Sequence, residues 1–139
     1  MSNIQEEIED KIIDLIALGA FGRLIVFKSD NPNRDLVVER KGDYKTKTIF
    51  LNIYGREFLG EQGLPDEIND LAAAKNLEPA GNFYLIFVKF DMVKREIAEN
   101  FLVVPSMDMQ NTLDEKDFSR YTMSKKDFIA FLIDYLNKK

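Results

Sequence analysis

The stretch RDLVVERKGDYKTKTIFLNIYGRE, Arg34 to Glu57, decides how the chain is read. DLVVER and TIFLNIY are rich in β-branched and aromatic residues and read as strands. KGDYK between them carries a Gly-Asp pair that marks a turn, so the two runs form a hairpin. Within TIFLNIY, Ile49, Leu51 and Ile53 face one side of a sheet, and Phe50, Asn52 and Tyr54 the other. A turn centred near Asp43 places Asp35 across from Asn52, because register follows the turn. Asp35, Val37 and Glu39 then share a face with Asn52 and Tyr54. Polar groups meet at one end of that face only, where Asp35 faces Asn52.

On the N-terminal side, residues 3–18 carry isoleucines at 4, 8 and 12, then Leu15 and Ile16, the stripe of an amphipathic helix. Ser2 or Asn3 suits its cap, the early acids suit its dipole, and Gly19 suits a left-handed stop. GRLIVFK at 22–28 is a further strand, followed by the turn-rich SDNPNRD. On the C-terminal side, DEINDLAAAKNL after Pro65 reads as a short helix. FYLIFVKF at 83–90 and FLVVPS at 101–106 read as strands, with only a turn expected in DMVKREIAEN between them. The segment from Met107 to Met123 is polar and lacks a period. Ser124 and Asp127 form a capping-box-like start to a last helix, along which Phe128, Leu132 and Tyr135 line one face. Helix, three strands, helix, two strands, helix is an α/β order, and its strand–helix–strand unit implies a parallel pair. With no repeat and no linker, residues 1–139 read as one domain.

Composition narrows the chemistry. The 139 residues include no Cys and no His. This excludes disulfides, thiolate metal sites and every Ser-His or Cys-His nucleophile pair, and removes the commonest general base. Hydrolysis would need carboxylates, lysine and a hard cation such as magnesium. A net charge of −5, from 19 basic and 24 acidic residues, argues against broad non-specific binding of nucleic acid but permits a local basic groove. MSNIQEEIED is acidic where a secretory signal is basic, and no apolar run is long enough for a bilayer, so a cytoplasmic protein without a membrane partner is expected. The composition sets no oligomeric state.

The order of elements and several local strings resemble the PD-(D/E)XK nuclease superfamily, which has the restriction-endonuclease-like fold. The resemblance runs over roughly residues 5–106: the first helix offers Glu9 (or Glu6), NRDLVVER offers Asp35, and LNIYGRE stands where members read Glu/Gln-x-Lys. NFYLIFVKFD and ENFLVVPS match the later strand, turn and strand-to-proline run of small nuclease-like proteins. It implies a mixed sheet of about five strands flanked by helices. It also implies two acids that hold a divalent ion and a lysine that helps activate water.

The chain departs from that pattern at the third strand, where Asn52 replaces the acid and Tyr54 the lysine. Asn offers a neutral oxygen, and Tyr, with a reference pKa near ~10, cannot replace an ammonium beside a phosphate. Glu39 and Lys41 spell E-x-K on the preceding strand, but Glu39 lies roughly 13 Å along the strand from Asp35, at about 3.3 Å per residue. The expectation is therefore a catalytically degenerate domain that needs no cofactor and binds nucleic acid or protein. The remnant residues are Glu9, Asp35, Asn52 and Tyr54, with Asp35 the surviving metal ligand. A magnesium-dependent nuclease with a non-standard site and a pure protein-interaction scaffold are the alternatives. Lys41, Tyr44, Lys45 and Lys47 around the hairpin turn, and Lys89 on FYLIFVKF, are the candidates for holding phosphates.

Overall fold

A computed structural model describes residues 4–31, 33–42, 47–56, 78–110 and 119–137. The isoleucine stripe forms α1 (Ile4–Gly19), and the next three strands are β1 (Leu24–Lys28), β2 (Leu36–Arg40) and β3 (Thr48–Arg56). After them come β4 (Phe83–Asp91), β5 (Glu96–Ile97), β6 (Asn100–Pro105), a 3-10 turn (Ser106–Gln110), β7 (Thr122–Ser124) and α2 (Lys125–Asn137). The cap at Ser2 or Asn3 and the helix expected after Pro65 lie outside the described residues.

The chain is α/β, with one mixed sheet ordered β1-β2-β3-β4-β6-β7 and β5 paired to β4. β3 and β4 are parallel, Asn52 lying beside Leu85, while the other pairs are antiparallel. The sheet holds seven strands, more than the five expected, because β5 and β7 are too short to show a period of their own. β5 forms because Asp91 folds the chain back. Its carboxylate accepts the N–H groups of Val93 and Lys94 at 2.9 and 3.0 Å, and these bonds hold it below its ordinary pKa. β7 pairs with the edge of β6, Asn100 opposite Ser124. The Ser124 hydroxyl then accepts the Asp127 N–H at 3.1 Å, the cap expected for the last helix.

α1 and α2 both pack on one face of the sheet. Ile8, Ile12 and Ile16 meet Leu36, Val38, Ile49, Leu51 and Ile53, with Phe128, Leu132 and Leu136 in the same core. Burying each such side chain stabilises the fold by about 1.5–3 kcal/mol. The approach is close at two glycines. A Cβ on Gly55 would run into the side chain of Ile8, and one on Gly19 would lie 2.9 Å from Ile129. Gly19 is thus required for packing and remains helical; the left-handed stop expected there falls on Phe21 (φ 51°) and Gly22 (φ 79°). A second core on the opposite face contains Tyr54, Phe83, Leu85, Phe87, Leu102, Val104 and Tyr121. No helix among the described residues is long and apolar enough to cross a membrane.

Candidate functional site

Asp35 sits one residue before β2, and the Leu36–Leu51 register carries on to set it opposite Asn52. The two residues bind each other's backbone neighbourhood. The Asp35 N–H donates to Asn52 Oδ1 at 2.9 Å, and the Ile53 N–H donates to Asp35 Oδ2 at 2.7 Å. Asn52 Nδ2 donates to the Asn33 carbonyl at 3.2 Å and lies 3.5 Å from the Tyr54 hydroxyl. Asn52 is buried, and its amide uses both its acceptor and its donor sides. A carboxylate in that position would lose the Asn33 bond and set a second negative charge beside Asp35.

Tyr54, two residues on, points into the second core. Its ring stacks on Phe87 with centroids 5.1 Å apart and planes 20° from parallel. Ile53 between them points to the helix face, where Gln5 donates to its carbonyl at 2.6 Å and to Glu9 Oε2 at 2.9 Å. Burial raises the pKa of Glu9; the Gln5 bond offsets part of this, and the negative charge of Asp35 adds to the rise. Glu6 instead faces Lys28 on β1, at 3.5 Å on the exposed surface. The oxygens nearest to forming a cation site are therefore those of Glu9, Asp35 and Ile53, and at least one on each residue is already hydrogen-bonded. Among the described residues no group of three or more acidic side chains converges.

The candidate phosphate-binding residues occupy different ends of the sheet. Lys41, just past β2, donates its N–H to the Arg23 carbonyl at 3.0 Å and lines a hollow with Arg23 and Arg40. Lys47 lies with its ammonium 5.8 Å from the centre of the Tyr135 ring. Lys89 pairs with Arg56 at the other end of β3, about 26 Å away at ~3.3 Å per residue, in a hollow of mixed charge with Asp91, Glu96 and Lys125. Glu39, at the far end of β2 from Asp35, accepts the Thr48 hydroxyl at 3.2 Å. Tyr44 and Lys45 lie outside the described residues.

Three groups that the hairpin reading passed over belong to these surroundings: Gln5, Arg23 and Arg40. Gln5 is legible as a partner of Glu9, four residues away on one helix face. Arg23 and Arg40 are far apart in sequence and meet only because β1 pairs with β2, Leu24 opposite Arg40. Comparison with protein-family models, with curated proteins and with solved structures finds no match for the chain.

Proposed function

We propose that the chain is a binding domain on a nuclease-like scaffold, in which the corner that would carry catalysis has become a structural clasp. It engages nucleic acid or protein and does not cut. The observation that carries this reading is the pair of bonds between Asp35 and the Asn52–Ile53 backbone and amide. Asp35 is used in holding β2 to β3, and a neutral amide stands where a second metal-binding carboxylate would be needed. The Tyr54 ring, stacked on Phe87, supplies no positive charge.

Calorimetric titration with magnesium and manganese, beside incubation with labelled single- and double-stranded DNA, tests the reading. No sub-millimolar heat and no shortening of the DNA are expected. Binding to DNA should be micromolar and should weaken as salt rises, because few basic groups gather in any one place. Metal-dependent cleavage that disappears in Asp35→Ala would overturn the proposal.

A further inference from the structure

Resting on the binding-domain reading, we propose that single-stranded nucleic acid binds where α1, β1, β2 and α2 meet, its phosphates on Arg23, Arg40 and Lys41 and a base on Phe21. This end of the sheet lies some 16 Å from the Asp35 corner, at about 3.3 Å per residue along β2. The hollow there has a volume of about 400 Å³, with buried Leu24 and half-buried Ile133 among its lining groups. Arg23, Arg40 and Lys41 are exposed around it, in a chain whose net charge is −5. Three cations on a concave surface form an attractive site for phosphates that the chain as a whole would repel.

Phe21 is the second, independent observation. Among the described residues only Phe21 and Arg95 adopt positive φ without being glycine. Phe21 is 89% exposed, so burial of the ring does not compensate for its left-handed backbone. The left-handed stop of α1 accounts for that backbone, and it leaves a large apolar ring standing in solvent beside the hollow's rim. Gly22, the next residue, lines the hollow, which sets the backbone of Phe21 at its edge. An aromatic face beside a cationic hollow suits a base stacked on the ring with its phosphates on the cations.

Only an unpaired strand has base faces to offer, which favours it over a duplex. A lipid surface is flat and would leave the hollow unused. The acids nearby set the affinity low. Glu39 is on the opposite face of β2, held by Thr48, but exposed Asp134 lies one turn before Asn137, which lines the hollow. The carbonyl end of α2 also carries partial negative charge toward it.

The test is fluorescence anisotropy with a labelled thymidine oligonucleotide of about 12 residues, at several salt concentrations, beside a duplex of equal length. For the full chain we expect micromolar affinity, with log K falling on log salt at a slope of about −2, three phosphates contributing ~0.7 each. Phe21→Gly should weaken binding of the single strand by about five- to a hundredfold and leave the duplex unaffected. The same substitution removes the strained Cβ and should keep or raise Tm, so lost binding cannot be ascribed to unfolding. Lys41→Gln should lower the slope by about 0.7. Equal affinity of wild type and Phe21→Gly overturns the inference. So does binding to phosphatidylserine vesicles with none to the oligonucleotide. In either case an intact oligonucleotide leaves the binding-domain reading standing. Magnesium-dependent shortening that is lost in Asp35→Ala overturns that reading and this inference with it.

Discussion

Asp35 and Asn52 hold the start of β2 against β3 through complementary use of side chain and backbone. Asn52 accepts the N–H of Asp35, and Asp35 accepts the N–H of Ile53, the residue after Asn52. The same amide reaches the Asn33 carbonyl, so loop, strand start and neighbouring strand are joined by three bonds. This arrangement makes the corner a matter of stability first.

Asn52→Ala should therefore destabilise the fold by about 1–3 kcal/mol, because it removes two part-buried hydrogen bonds, from the Asp35 N–H and to the Asn33 carbonyl, and empties the buried site of the amide. Urea denaturation measures this. A loss below about 0.5 kcal/mol would mean that the amide is not structurally engaged. Asn52→Asp, nearly the same shape, should lose more stability at pH 7 than at pH 4, since its charge lies beside Asp35.

Tyr54→Ala should cost about 3–5 kcal/mol, in the range for removing a large buried aromatic. The ring is buried against Phe87 in the second core, so the cost is a cavity and a lost stack. If the variant unfolds at nearly the wild-type urea concentration, the ring is not part of the core.

Gly55→Ala should destabilise by about 1–3 kcal/mol, the usual cost of overpacking. The new Cβ meets Ile8 as α1 crosses β3. Ile8→Val shortens the side chain that it meets and should recover part of the loss. A double-mutant cycle reads this coupling, and strict additivity would refute the close approach.

Glu9→Gln tests the electrostatics of the helix side. Burial holds the folded-state pKa of Glu9 above its ordinary value of 4.5, and the charge of Asp35 adds to this. A raised folded pKa favours the protonated form, so its contribution is fully present below pH 4.5 and is lost as pH rises through the folded value. At pH 7 the ionised carboxylate is the less favourable form. Glu9→Gln removes that charge and keeps an oxygen for the Gln5 amide. Thermal melts should show Tm raised at pH 7 and little changed at pH 4; a lower Tm at pH 7 would contradict the direction.

Local patterns in the sequence determined the elements and one long-range pairing. The isoleucine stripe specifies α1, because residues three and four apart must share the buried face of a helix. Alternation in TIFLNIY specifies which side chains of β3 oppose which, and the turn places Asp35 opposite Asn52, because a hairpin carries its register in its own loop. The capping bond from Asp127 to Ser124 is equally local. Gly19 shows where such reading stops. As a residue after a helical stripe it suits a left-handed stop, yet it is the last residue of the helix itself. The space beside it, where a Cβ would crowd Ile129 from the far end of the chain, is what calls for glycine. The short strands β5 and β7 exist only because β4 and β6 offer them a partner, and two or three residues cannot announce a period. Tertiary structure alone decided that Tyr54 stacks on Phe87, because β3 and β4 are parallel strands from separate parts of the sequence, and that Gln5 reaches the Ile53 carbonyl. It alone gathered Arg23, Arg40 and Lys41 into one hollow and carried Lys89 to the other end of the sheet. Charge acts through space, and only the folded chain sets the distances over which it acts.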